Sequence, residues 1–224
     1  MISLIIKDFA IQKKNLKNYI AIGLFLGLIF TFNGSDQMSF AMPTFLIIFG
    51  FIGKASYEDE ANHTVRWIAA LPIKKTTIVQ ARYLSVALAS VFTVLVFQLI
   101  KNILILLNVI TIEAGAESYL SFLLVILIFV VMISIYMPMI YKMGYIKAAN
   151  IYRFLIFGFI GLGLLSVKVL IPSGPPPAAF LNLTQWISEM SQINLTISLA
   201  VISLLIYIIS MGVSMGIYSR KHYF

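Results

Sequence analysis

Long apolar runs, separated by short polar interruptions, occupy most of the chain at about 18–33, 38–53, 82–107, 118–141, 149–171 and 195–218. Each approaches the roughly 20 residues that an α-helix needs to cross about 30 Å of hydrocarbon. The interruptions carry turn chemistry: Asn33-Gly34-Ser35-Asp36, Leu71-Pro72, Lys142-Met143-Gly144 and the proline-rich 172–177. The pattern predicts an all-α polytopic membrane protein of six transmembrane helices, forming one transmembrane domain over 1–224. Two features lie between the spans: a cytoplasmic loop over 54–81 and an outer loop over 172–194. The latter carries Phe180, Leu183, Ile187 and Met190 at helical spacing, which predicts an amphipathic or re-entrant helix before the last span. Ahead of the first span, Ile2, Ile5, Ile6, Phe9 and Leu16 fall near one face and Lys7, Asp8, Lys13 and Lys14 elsewhere, so 1–17 reads as an interfacial amphipathic helix.

Composition agrees with lipid as the solvent. Of 224 residues, 61% are hydrophobic and 11% charged, far from the about 25% charged of soluble domains. The net charge of +8 would suit nucleic acid only on a basic face of a soluble module, and here the positive residues sit beside spans. Fourteen of the sixteen Lys and Arg fall on one side of the six-span layout, leaving Lys101 and Lys168 on the other. Cytoplasmic loops are enriched in these residues, so the asymmetry predicts both termini in the cytoplasm. With no cysteine and two histidines, His63 and His222, thiolate metal sites and disulfides are excluded. No removable signal peptide is expected, because Met1–Ile6 is a short apolar stretch followed by Lys7 and Asp8.

Neither soluble loop is long enough to bury a core of its own. The inner one places Thr64, Trp67, Ile68 and Leu71 along one stripe of a short helix predicted from about Glu60 to Leu71, which Pro72 stops. Thr77-Ile78-Val79-Gln80 fits a capping box leading into the third span. The Trp-bearing ridge suits either a docking surface or a lipid anchor. Within the membrane, Gly23-xxx-Gly27 and Gly212-xxx-Gly216 permit close helix approach. Gln98, Lys101 and Asn102, near the outer end of the third span, are candidates for a translocation path, although Lys101 can also snorkel to the outer headgroups. Gly212-Val-Ser-Met-Gly216 lacks the strand context and acidic partner of a nucleophile elbow. Gly53-Lys54 lacks the glycine and hydroxyl of a phosphate loop. No catalytic, cofactor or metal site is expected.

The order of elements and the stretch Glu60-Ala-Asn-His-Thr-Val-Arg-Trp-Ile-Ala-Ala-Leu-Pro-Ile-Lys-Lys-Thr-Thr-Ile-Val-Gln-Ala-Arg-Tyr-Leu84 resemble the permeases of type-2 ATP-binding-cassette exporters. The glycine often found after the Glu in that family is replaced by Asn62, His63 and Thr64. Among such permeases the chain looks most like those of Gram-positive peptide-toxin exporters of the phenol-soluble-modulin type. The resemblance implies a coupling helix, with Glu60, Thr64, Trp67, Ile68, Leu71 and Pro72, docked on a separate ATPase that carries the ATP and magnesium. It further implies two permeases, homo- or heterodimeric, with two ATPases in a bacterial plasma membrane, exporting a hydrophobic or amphipathic substrate such as a peptide. The rival reading is a secondary transporter or an immunity protein that works without an ATPase, for which broken helices and coupling charges near the midplane are expected.

Overall fold

The computed structural model describes residues 1–13, 15–32, 41–64, 67–68, 72–107, 116–154 and 191–220, and among these the only regular structure is helical. The helices are α1 (Ile2–Gln12), α2 (Leu16–Phe32), α3 (Ala41–Ala61), α4 (Lys75–Leu106), α5 (Ala116–Met143), α6 (described over 145–154) and α7 (Gln192–Ser219). Among the described residues, Lys75–Leu106 and Ile193–Ser219 are long and apolar enough to cross a membrane, and Lys17–Ile29 and Val130–Met143 are shorter apolar helices. The fifth predicted span is described only to Phe154, and the predicted outer helix within 172–194 lies almost wholly outside the described residues.

Burial is inverted relative to a water-soluble protein. On α4, Phe92, Leu95 and Leu99 are exposed while Ser85, Thr93 and Lys101 are buried. On α7, Leu204, Leu205 and Ile209 face out while Ser203, Ser210 and Ser214 are buried. Polar side chains turn inward and aliphatic ones outward when the surrounding medium offers no hydrogen bonds. The interior also has an aromatic centre: Tyr136 of α5 lies 4.5 Å, centroid to centroid, from Tyr152 of α6, and Phe49 of α3 stacks on Tyr152 at 5.5 Å. The most extensive helix pairing is that of α5 with α7.

Three expectations are corrected. The interfacial helix stops at Gln12 rather than reaching 17, and Asp8 and Gln12 form its buried face. The helix of the second predicted span, α3, continues to Ala61, past the predicted inner boundary near 53, which carries it about 12 Å further at 1.5 Å per residue. The capping box at Thr77 is not used, since α4 starts at Lys75 after an extended Lys74 with no side-chain cap. Pro72 and the extended backbone after it leave the chain free to enter a helix at once.

The α5–α6 corner is a single residue wide. Gly144 adopts φ 84 and donates its N–H to the Ile140 carbonyl at 2.9 Å, while its own carbonyl accepts from Ala148. A left-handed residue closes one helix and redirects the chain, and glycine does so without a Cβ penalty. The glycine pairs differ in use. Gly23 is buried where any Cβ would collide with the Phe97 ring, whereas Gly212 and Gly216 have open space around them.

Candidate docking site

Three helices meet in a compact ionic junction at the end of the bundle that holds α1. Arg82 of α4 reaches Asp8 of α1, with Nη1 3.1 Å from Oδ1, and donates from Nη2 to Asp59 of α3. Lys7 Nζ donates to Asp59 Oδ1 at 2.7 Å, and Ser85 Oγ donates to Asp8 Oδ2 at 2.8 Å. Two cations thus face two carboxylates, and the junction is neutral. Asp8 is 3% exposed. Burial pushes its carboxyl above the ordinary range, against the pull of Arg82, the Ser85 bond and Lys7. Gln12 Nε2 donates to the Phe51 carbonyl at 2.9 Å and so holds the far end of α1 on α3.

Glu60, the neighbour of Asp59, turns the other way. Its carboxylate accepts the Tyr145 N–H at the start of α6, and a Cβ on Gly144 would come within 3.2 Å of Oε2. A carboxylate at a helix N-terminus satisfies an orphan donor and sits favourably on the positive end of the dipole. Consecutive carboxylates in the last turn of α3 therefore hold α1 and α4 on one side and the α5–α6 corner on the other.

Beyond Ala61 the chain does not continue as one helix from Glu60. Asn62 and His63 form a turn, with His63 at φ 52, a left-handed conformation in which histidine is tolerated and glycine is favoured. The turn falls where the resembled family often carries its glycine. Thr64, Trp67 and Ile68 are helical again. Trp67 is 73% exposed, while Ile68 is 8% exposed and lines a cavity of about 250 Å³ with Ser56, Asp59, Arg82, Tyr141 and Tyr218. Ile68 is therefore the anchor of the segment and not part of an outward ridge, Thr64 is half-buried, and Pro72 is exposed. Leu71 lies outside the described residues.

On the opposite side of α4, Tyr83 is bonded into a seam of hydroxyls. Its phenol lies 2.7 Å from both Ser210 Oγ and Ser214 Oγ of α7, and Tyr207 donates to its backbone carbonyl at 2.7 Å. Ser210 also donates to the Ser134 carbonyl of α5. Of the three path candidates further along α4, Lys101 is buried at 3% exposure and Asn102 is exposed. The Gln98 amide is buried, and neither of its atoms has a hydrogen-bond partner among the described residues. The three occupy one stretch of α4, but they do not share one environment.

An all-helical bundle that turns its hydroxyls and charges inward and its aliphatic surface outward is a membrane protein. The chain matches the family described as ABC-2 family transporter protein over residues 3–219, and it belongs to that family. The family makes it an ABC transporter permease, a membrane-transport component, and implies an ABC ATPase as partner. No curated protein and no solved structure matches the chain.

Proposed function

We propose that this chain is the permease of an ATP-driven exporter that moves a hydrophobic or amphipathic substrate, such as a peptide, and that the segment after α3 docks a separate ATPase. The carrying observation is the contrast between exposed Trp67 and buried Ile68 on a segment continuous with the last turn of α3. One residue grips the bundle and the next offers a large apolar anchor to a partner, as interface hot spots do. By the resemblance, Thr64, Leu71 and Pro72 belong to the same docking segment, and Glu60 stands at its start, tied to the Tyr145 N–H. ATP and magnesium bind on the partner. Closure of two ATPases displaces the docked segments of two permeases, and the Asp59 and Glu60 ties carry that displacement as a rigid-body movement to α1, α4 and α6.

Trp67→Ala tests the docking step. Loss of an interface anchor costs about 2 kcal/mol or more, roughly a thirtyfold weaker complex. Co-purified ATPase and export should fall together, while the exposed position leaves the permease folded. Retention of the ATPase by the variant would assign Trp67 to the lipid surface.

The proposed membrane layout has six spans and both termini in the cytoplasm, supported by the segregation of Lys and Arg. Because the chain has no cysteine, single cysteines report cleanly. Those at Ser35, Ala116 and Ser191 should react with an impermeant thiol reagent applied outside intact cells, and those at Ser56 and Ser219 should not. Labelling in the reverse order rejects the layout.

A further inference from the structure

A second hollow, of about 400 Å³, lies between α1, α2, α3 and α4 and takes no part in the docking segment. Its lining is apolar over most of its extent, with Phe51 of α3, Ala89 and Thr93 of α4, and the exposed rings of Phe9 and Phe92. Ala89 and Thr93 are one turn apart and small, which leaves the space that larger side chains would fill. The Thr93 hydroxyl is already committed to the Ala89 carbonyl at 2.7 Å, so it does not offer its proton to a ligand. At one end, where α1 gives way to α2, the lining becomes polar with Gln12 and Lys13, and Lys13 is exposed.

We propose that this hollow binds a phospholipid with an anionic headgroup, one acyl chain lying against Phe51, Ala89 and Phe92 and the phosphate meeting Lys13. Two physical arguments select this occupant. An extended peptide would bring backbone N–H and C=O groups into a lining that leaves them unpaired, which costs several kcal/mol per group in an apolar setting, whereas an acyl chain has none to satisfy. The polarity gradient matches that of a lipid in both order and sign, since a lysine near the membrane surface attracts anionic headgroups. The site also bears on α1: a chain seated there contacts the interfacial helix and α4 together, on the face opposite no charged group other than Lys13 among the lining residues.

Native mass spectrometry of the full chain, purified in a mild non-ionic detergent and titrated with defined lipids, tests the site. Wild type should retain phosphatidylglycerol about fivefold better than phosphatidylcholine, the worth of one lysine near a surface. Lys13→Glu should abolish that preference, and Ala89→Leu should lower retention of both lipids by filling the hollow. Ala89 is in the packed interior, so the exposed Phe92→Trp supplies a second readout. Its fluorescence, over the wild-type background, should be quenched by phosphatidylglycerol with brominated chains, and more strongly than by brominated phosphatidylcholine. Equal retention of the two lipids by wild type, undiminished retention by a folded Ala89→Leu, or no added quenching in Phe92→Trp would overturn the proposal. Displacement of the bound lipid by an amphipathic peptide would overturn it too, by giving the hollow to the substrate.

Discussion

Arg82 and Tyr83 are adjacent on α4, yet they serve opposite sides of it by different chemistry. Arg82 faces α1 and α3 and is held by two carboxylates. Tyr83 faces α5 and α7 and is held by the hydroxyls of Ser210 and Ser214. A guanidinium sunk among helices is tolerated only when carboxylates balance its charge, because each unpaired charge carries a desolvation cost of several kcal/mol. A phenol between serines risks far less, since any one bond lost in a membrane bundle is worth about 0.6 kcal/mol on average. The charged side is therefore a junction that holds or fails as a unit. The hydroxyl side is a seam whose bonds can be exchanged one at a time.

The largest way to break this contrast is Arg82→Ala. It leaves Asp8 and Asp59 buried without their shared partner, at a cost of about 3–5 kcal/mol, and the variant should show a severe loss of folded protein by fluorescence-detected gel filtration. Recovery by Lys would be partial, because an ammonium cannot span two carboxylates as a planar fork does. If Arg82→Ala behaved like wild type, the junction would carry no structural role.

A much smaller effect is expected on the other side. Tyr83→Phe deletes the phenol but keeps the ring packed on Tyr207, 5.1 Å away centroid to centroid. The two serines can still bond elsewhere, Ser210 already donating to the Ser134 carbonyl, so the cost should be about 0.6 kcal/mol. A thermal shift of the size produced by Arg82→Ala would erase the distinction between the two sides.

Glu58→Gln sharpens the comparison at its low end. Lys54 donates to Glu58 one turn along α3 at 2.6 Å, and that bond lowers the Glu58 carboxyl below its ordinary range. A depressed carboxylate contributes stability above its unfolded pKa and loses it as pH falls through the folded value. The pair is open to solvent, so exposed-pair behaviour applies. Melting curves of Glu58→Gln and wild type should nearly coincide at neutral pH, and any small difference should vanish as pH falls through the carboxylate range. A clear drop in melting temperature would mean that α3 depends on this pair.

The signals that were legible and those that were not separate along physical lines. Apolar runs of bilayer length and the one-sided Lys and Arg are properties of composition in order, and they gave the membrane class and the helices near 16–32, 75–106, 116–143 and 192–219. The order of elements and the stretch from Glu60 to Leu84 carried the resemblance to the family. What the pattern missed was partnership. Lys7 and Arg82 read only as topological charge and Asp8 as the polar face of an interfacial helix, because partners 52 and 77 residues apart, such as Lys7 with Asp59 or Ser85 with Asp8, leave no periodicity. Ser203, Ser210 and Ser214 did carry a signal: they recur at helical spacing inside an otherwise aliphatic α7, the mark of a buried polar stripe in lipid.

The sequence by itself determined the solvent, the helical class and the family, since each follows from local hydrophobicity or from a short contiguous motif. Tertiary structure decided which way neighbours point. It sent Asp59 to α1 and α4 but Glu60 to α6, Ile68 inward but Trp67 outward, and Lys101 into the bundle. Those choices depend on which helices lie beside each residue and on the cost of leaving buried charges unpaired in a medium without water, a condition that only the assembled bundle can impose.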